Sequence, residues 1–250
     1  MTRILFLAAL LFAGHAALAQ PVEARLSVLP GYDTPHGTRM AALRLDLPPG
    51  WKTYWRAPGD AGIPPQIVLH DAGDARLHWP TPQVFDQNGM RSVGYAERLV
   101  LPVELPAGAT RLAGVMDIGI CQDICVPIQM EFDAALPPAG PRDPAILAAL
   151  LDQPRAAGRA TCRITPAEDG MTLEAVIDLP SAGPREALVI ETADPSVWVS
   201  EPQLERRGDR LTATARMVRG GQGFAVARDG LRFTLLGARG ASEVRGCEAG

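Results

Sequence analysis

The sequence has the length and composition of a globular protein with one large domain or two domains of ordinary size. Of its 250 residues, 47% are hydrophobic and 21% are charged, which excludes intrinsic disorder as the main state. The net charge of −4 excludes nucleic acid as a partner, because that would need a basic face. Glycine and proline contribute 25 and 23 residues, which disfavours a helical bundle and indicates short strands joined by turns.

The first residues have the pattern of an export signal. Arg3 gives a positive start, residues 4–12 are apolar, and Ala17-Leu18-Ala19 supplies the small-x-small pattern that signal peptidase recognises. The apolar run is well short of the ~20 residues that span a bilayer. We therefore predict a signal peptide over residues 1–19, a periplasmic mature protein and no membrane span of its own.

Alternating apolar and polar residues between prolines and glycines predict short strands over most of the chain. In the first half these are Met40–Leu47, Gln66–Leu69, Arg98–Leu105, Arg111–Ile120 and Val126–Phe132. In the second half they are Met171–Asp178, Ala187–Glu191, Arg210–Met217 and Leu231–Leu236.

A short helix is predicted between the two halves. The Pro/Ala/Gly-rich stretch Leu136–Gly140 resembles a hinge, and Asp143 followed by Pro144 matches a helix N-cap with proline at the first position. The sequence thus predicts an all-β protein of two small β-sandwiches joined by a helix over Ala145–Leu151. One continuous sandwich with an inserted helix is the alternative. We place the boundaries at residues 20–137, a linker over 138–160 and a second domain over 161–250.

Four cysteines, at positions 121, 125, 162 and 247, allow three disulfide pairings. Linking Cys162 to Cys247 closes a loop of about 86 residues and stabilises the fold by roughly 4–5 kcal/mol in the chain-entropy model. Linking Cys121 to Cys125 closes a loop of about five residues, worth only about 2 kcal/mol. We therefore assign the long link to structure and expect another purpose for the short one.

The strand pattern around the short pair predicts where its sulfur atoms lie. A period of two places Cys121 and Cys125 on the more polar faces of two consecutive strands. A hairpin with the loop Gln122-Asp123-Ile124 would set them opposite each other, with Cα atoms about 4.5–5.5 Å apart. We expect an accessible dithiol that opens and closes without unfolding the scaffold.

Three interpretations compete for this pair: a structural disulfide, a redox-active pair and a metal site. Copper could use soft ligands such as Met116, Met130, His70 or His78. The strand pattern downstream of Cys125 disfavours this, because copper-binding thioredoxin-like proteins carry Cys-x-x-x-Cys at a strand-to-helix turn. No histidine spacing suggests zinc, and the sequence indicates no cofactor.

Several motifs in order resemble one family. Its active hairpin is matched by the run from Ile120 to Pro127, Ile-Cys-Gln-Asp-Ile-Cys-Val-Pro, and its opening signature by the run from Gly50 to Gly62. Trp79-Pro80-Thr81-Pro82, Gly94-Tyr95 and the run from Leu99 to Val103 follow at the expected positions. Over roughly residues 22–135 the chain resembles the N-terminal periplasmic domain of the thiol:disulfide interchange proteins DsbD and, more closely, ScsB.

The resemblance implies an immunoglobulin-like sandwich that relays reducing equivalents. In the family, a membrane-embedded module and a thioredoxin-like module supply electrons, and the N-terminal domain delivers them to periplasmic proteins. The resemblance implies that Cys125 forms the mixed disulfide and Cys121 resolves it. It also implies a cap loop, for which Phe85 and Asp86 match best, with Met90 and Tyr95 as neighbours.

The charges near the pair in sequence are all acidic, namely Asp117, Asp123 and Glu131. Acidic neighbours disfavour a thiolate, so we expect ordinary or raised pKa values for both thiols. Reactivity would then depend on a low-pKa thiolate of the partner attacking the disulfide.

The leading hypothesis is a periplasmic thiol:disulfide exchange protein, a protein-disulfide reductase component. Because family members continue into membrane and thioredoxin-like modules and this chain stops at Gly250, we expect an external donor. The expected partners are thioredoxin-like redox proteins and a membrane-embedded electron donor. The alternative is a non-catalytic exported binding protein with structural disulfides. A copper-handling protein is one form of this alternative.

Aromatic residues receive structural interpretations. Trp51, Tyr54 and Trp55 either form a docking surface or, as we favour, fill the core or the sheet edge. Trp198 is expected in the core of the second half.

Overall fold

The computed structural model describes residues 23–60, 62–87, 89–221 and 223–250. The predicted signal peptide, residues 1–19, lies outside these ranges. The described chain consists of β-strands and one short α-helix. That helix is the only one in the described ranges, and none there has the length and apolar character needed to cross a bilayer.

The first half contains ten strands within the described residues. In chain order they are β1 (Arg25–Asp33), β2 (Arg39–Asp46), β3 (Lys52–Tyr54), β4 (Gln66–His70), β5 (Arg76–Leu77), β6 (Gln83–Gln87), β7 (Met90–Ala96), β8 (Arg98–Leu105), β9 (Arg111–Cys121) and β10 (Cys125–Ala135). A four-stranded sheet has the order β1-β2-β8-β5. A six-stranded sheet has the order β10-β9-β3-β7-β6, with β4 also pairing with β9. All these pairings are antiparallel.

After the helix, the second half also forms a four-stranded and a six-stranded sheet. Its elements are α1 (Pro144–Leu151), β11 (Arg155–Ala156), β12 (Arg159–Ala167), β13 (Gly170–Asp178), β14 (Ala187–Glu191), β15 (Trp198–Val199), β16 (Gln203–Arg207), β17 (Arg210–Val218), β18 (Arg232–Gly237), β19 (Gly240–Arg245) and β20 (Glu248–Ala249). One sheet has the order β11-β19-β18-β14, and the other β15-β17-β13-β12-β20 with β16 on β17. Two pairings are parallel, β11 with β19 and β12 with β20. The predicted all-β fold with two sandwiches and a short helix is confirmed.

The helix begins where its capping residues predicted. The Asp143 carboxylate accepts a hydrogen bond of 2.8 Å from the backbone N–H of Ala145, and Pro144 occupies the first turn. Ile146 is fully buried and packs with Met40 and Ala42, on the face of β2 that points away from the main core. The helix therefore covers the outer face of the four-stranded sheet, and β2 is buried on both faces.

The two halves share a hydrophobic core. Ala187 and Val189 of β14 belong to the core of the first half, while Leu188 and Ile190 belong to the core of the second. This double burial explains why β14 reads as a continuous apolar run instead of an alternating one. Trp198, expected in the core, is instead 49% exposed, because the two-residue strand β15 lies at the edge of its sheet.

Charged groups also join the halves. The Arg56 guanidinium donates to both oxygens of Glu191, at 2.8 and 3.0 Å, and to Glu243 at 2.9 Å. Its Cζ atom lies 4.2 Å from the centroid of the Trp55 ring, and Trp55 is fully buried. Arg56 of the first half thus forms ion pairs with two carboxylates of the second half.

Candidate functional site

The site is built on the hairpin of β9 and β10. Cys121 and Cys125 face each other in register, their Cα atoms are 4.2 Å apart, and a disulfide joins them. The turn between them is Gln122-Asp123-Ile124, closed by a hydrogen bond of 3.2 Å from the Gln122 N–H to the Ile124 carbonyl. The strand register and loop are those the sequence predicts.

The two sulfur-bearing residues differ in exposure. Cys125 is exposed, whereas Cys121 has an exposed fraction of 0%. The expectation that both lie on a solvated face is therefore wrong for Cys121. The alternation of polar and apolar residues in β9 correctly places Cys121 on the face that points away from the core. It does not reveal that residues from another part of the chain cover that face.

The cover over Cys121 comes from β3 and the segment that follows it. Tyr54, only 2% exposed, lies across the face of β9. At Gly119 an added Cβ would be 2.9 Å from the Ile63 side chain and 3.2 Å from the Tyr54 ring. Contacts this close leave no room for a side chain, so glycine at 119 allows the ring and Ile63 to lie directly on the strand.

The Tyr54 hydroxyl reaches both sulfur atoms of the disulfide. It lies 2.8 Å from Sγ of Cys121 and 3.3 Å from Sγ of Cys125. Burial raises the pKa of the Tyr54 hydroxyl, so the group keeps its proton and acts as a donor. A hydrogen bond to the charged form of a thiol favours that form, so the hydroxyl is placed to stabilise a thiolate at Cys121.

A lysine lies beside the pair on the neighbouring strand. Lys52 of β3 is directly opposite Cys121, so that Lys52, Cys121 and Cys125 form one cross-strand row. Directly opposed residues share a face of the sheet. The Lys52 ammonium lies 5.0 Å from the centroid of the Phe85 ring, and burial lowers the pKa of Lys52.

The expected cap residues separate into two groups. Phe85 is half-buried on β6, and its ring contacts the site because it lies against the ammonium of Lys52. Asp86 is exposed and accepts a hydrogen bond of 3.2 Å from the Gly89 N–H in the turn after β6. Tyr95 lies away from the sulfur atoms, on the core face of the sheet, where its hydroxyl donates to the Pro80 carbonyl at 2.8 Å. Met90 is exposed.

The expected acidic neighbours lie on the solvated side of the hairpin. Asp117 accepts a hydrogen bond of 2.7 Å from the side chain of Gln129. Asp123 is exposed in the turn, and Glu131 is exposed on β10. The charged residue directly opposite Cys121 on a neighbouring strand is thus Lys52, a cation. The hairpin sequence alone does not indicate it, because Lys52 belongs to β3.

The soft ligands considered for copper do not gather at the sulfur atoms. Met116 and Met130 face each other on the core side of the hairpin, and Met116 is 1% exposed. The His78 ring pairs with Glu104 at 3.0 Å, and His70 ends β4. In the described part of the chain, no three His, Cys, Asp or Glu side chains are grouped to hold a metal ion.

The second disulfide joins Cys162 to Cys247, with Cα atoms 5.7 Å apart. Cys162 is buried in β12, and the parallel strand β20 pairs beside it. The link therefore ties the C-terminal strand to the sheet of the second half.

The sequence assigns Lys52 no role and interprets Tyr54 as a core, sheet-edge or docking aromatic; Tyr54 is buried, but its contact with the sulfur atoms was not predicted. The spacing of Lys52 and Tyr54, two residues within one short strand, places both side chains on a single face. Once β3 is known to pair with β9, this spacing predicts that both side chains lie on the face that carries Cys121.

Comparisons with known proteins agree with the fold and with the family resemblance. Residues 18–137 match the family of the N-terminal domain of thiol:disulfide interchange protein DsbD, which confirms the resemblance found in the sequence. The N-terminal periplasmic domain of ScsB from Proteus mirabilis has a similar structure, with a TM-score of 0.71 and 24% identity. The similarity covers 93% of this chain and 97% of that one, so it extends over both halves of the fold. No curated protein matches.

Proposed function

We propose, from the match of residues 18–137 to the DsbD N-terminal domain family, that this protein exchanges thiols and disulfides in the periplasm. It would pass reducing equivalents between a thioredoxin-like donor and periplasmic client proteins through Cys121 and Cys125. The redox domain would span residues 20–137 and the second domain 161–250. The periplasmic location is supported by the family match and by the signal-peptide pattern.

Within the structure, the observation that supports this proposal is the unequal exposure of Cys121 and Cys125. Cys125 is open to a visiting protein, whereas Cys121 is fully covered and lies against the Tyr54 hydroxyl. A disulfide that serves stability alone has no need of one exposed partner at a hairpin tip. A disulfide that exchanges needs one sulfur atom within reach of an attacking thiolate.

The asymmetry supports a defined order of steps. A thiolate of the reduced partner attacks Sγ of Cys125 and forms the mixed disulfide. The bond between Cys125 and Cys121 breaks, and its electron pair leaves on Sγ of Cys121. A second thiolate of the same partner then attacks the partner's sulfur in the mixed disulfide, so that the partner leaves as a disulfide and Cys125 is released as a thiolate. In delivery to a client, the reduced Cys125 thiolate attacks the client disulfide, and the Cys121 thiolate then attacks Cys125 to release the reduced client.

Trapping of mixed disulfides tests the proposal. Cys121→Ser leaves Cys125 as the only thiol of the pair, and Cys125→Ser is the matched control with the buried thiol alone. In the periplasm, Cys121→Ser should accumulate a mixed disulfide with a thioredoxin-like protein, whereas Cys125→Ser should not. If neither variant captures a partner, the pair is structural and the proposal fails.

The reduction potentials of the two disulfides give an independent check. Exchanging disulfides have reduction potentials above about −300 mV, whereas structural ones lie below it. The Cys121–Cys125 link should lie above this value and the Cys162–Cys247 link below it. Equal potentials for the two links would contradict the assignment of exchange to the short one.

A further inference from the structure

The site contains a cation that the exchange steps above do not use. Lys52 is directly opposite Cys121 across the β3–β9 pairing. Opposed residues on neighbouring antiparallel strands have Cα atoms about 4.5–5.5 Å apart. A lysine stem of four carbons is long enough to bring its ammonium group to a sulfur atom at that separation.

A negative charge forms at Cys121 during exchange and has little water to stabilise it. When the bond to Cys125 breaks, the electron pair remains on Sγ of Cys121, which is fully buried. Burial disfavours a charged group, and a hydrogen bond or an opposite charge must offset that cost. The Tyr54 hydroxyl supplies the hydrogen bond, but it carries no charge.

We propose that the Lys52 ammonium is the counter-cation of the Cys121 thiolate, and that it makes Cys121 an effective leaving group and resolving nucleophile. This inference rests on the proposed exchange function. Lys52 is a positioning residue: it forms no bond in the reaction and acts through its charge. The proton that neutralises Cys121 after exchange comes from solvent.

The other charges around the pair do not offer an equivalent. Asp117 on β9 is hydrogen-bonded to Gln129, and the remaining carboxylates of this region are on exposed positions. These are Asp86 on β6, Glu97 after β7, Asp123 in the turn and Glu131 on β10. All carry negative charge, so each opposes a thiolate at Cys121 and none can stabilise it.

Titration of Cys121 tests the inference without any partner protein. In a full-length Cys125→Ala background, the thiolate absorbance of Cys121 near 240 nm is followed against pH. Lys52→Met removes the charge and keeps the stem, and Lys52→Arg is the matched control that retains a cation. We expect Lys52→Met to raise the pKa of Cys121 by about one unit or more, and Lys52→Arg to leave it within a few tenths.

A second variant separates charge from shape. Phe85→Leu removes the ring beneath the ammonium and leaves Lys52 intact, so the pKa of Cys121 should not rise. If Lys52→Met and Phe85→Leu change the pKa equally, Lys52 only anchors the cap and the inference is overturned. An unchanged pKa in Lys52→Met also overturns it. Lys52→Gln replaces Lys52→Met if the melting temperature shows that the latter does not fold.

The same titration distinguishes this inference from the proposed function. A raised Cys121 pKa in Lys52→Met, together with an empty trap in Cys121→Ser, would reject the exchange function and leave the ion pair standing. A partner captured by Cys121→Ser, with no effect of Lys52→Met, would support exchange and reject the role of Lys52.

Discussion

The Tyr54 hydroxyl and Sγ of Cys121 lie 2.8 Å apart, and both residues are buried, with exposed fractions of 2% and 0%. Tyr54 belongs to β3 and Cys121 ends β9, and these strands are neighbours in the six-stranded sheet. The tyrosine thus shields the sulfur atom and supplies its hydrogen-bond donor. The exposed Cys125 has the same hydroxyl at 3.3 Å, so one donor serves both sulfur atoms.

Removing this hydroxyl should raise the pKa of Cys121. Tyr54→Phe keeps the covering ring and loses the donor, and hydrogen bonds to charged groups contribute about 1.5–3 kcal/mol. In the Cys125→Ala background we therefore expect a rise of about one to two pH units, measured by thiolate absorbance. Tyr95→Phe is the control, because its hydroxyl binds the Pro80 carbonyl on the core side of the sheet. Equal shifts in the two variants would contradict the role of Tyr54.

Filling the space at Gly119 should uncover Cys121. The new methyl group of Gly119→Ala would meet Ile63 at 2.9 Å and the Tyr54 ring at 3.2 Å, so the cover must move. Overpacking of this kind costs about 1–3 kcal/mol. After reduction, Cys121 should react faster with iodoacetamide than in the parent protein.

Gly140→Ala is the matched control for this substitution, because an added Cβ there meets nothing within 4 Å. It should change neither the stability nor the alkylation rate. An alkylation rate at Cys121 that is the same in both variants would show that Tyr54 and Ile63 do not limit access.

The two disulfides should contribute unequally to stability. Cys162 and Cys247 are separated by 85 positions and Cys121 and Cys125 by 4, and the entropic stabilisation increases with loop length. Replacing the long link by two alanines should cost about 4–5 kcal/mol in the free energy of unfolding, and replacing the short one at most about 2 kcal/mol. Urea unfolding measures both. Comparable losses would mean that the short link is also a structural one.

Arg56 should couple the two halves energetically. Its guanidinium holds Glu191 and Glu243 of the second half, and Glu243 is only 7% exposed. Breaking a pair of this kind leaves a buried carboxylate without one of its cations, so Arg56→Met should cost about 2 kcal/mol or more.

The control for this coupling is Arg111→Met, which breaks the exposed pair with Asp133 and should have no measurable effect on unfolding. The free energies come from urea denaturation followed by circular dichroism. A loss in Arg56→Met no larger than in the control would show that the ion pairs across the halves contribute little.

The sequence was sufficient for elements whose pattern is local. Alternation identified β9 and β10, the three-residue turn fixed their register, and Asp143 with Pro144 marked the start of the helix. In each case the determining residues are within a few positions of the element they form. The pairing of Cys121 with Cys125 follows from the same local geometry.

The sequence was insufficient where distant segments meet. The burial of Cys121 depends on Tyr54, which lies 67 positions away along the chain. Ile63 lies beside Tyr54 over Gly119 of the same strand. The cation beside the pair comes from a strand of three residues, too short to show a period. Trp198 was misplaced for a related reason, because apolar character alone does not distinguish an interior position from a sheet edge.

Strand β14, which contributes side chains to the cores of both halves, limits how this protein can be divided into fragments. A fragment ending near residue 137 would lose Ala187, Val189, Leu236 and Ala241 from its core. The apolar surface they now cover would face solvent, which favours self-association. Transplanting the reactive hairpin to another scaffold therefore requires the second sandwich as well, or polar replacements along the surface it leaves bare.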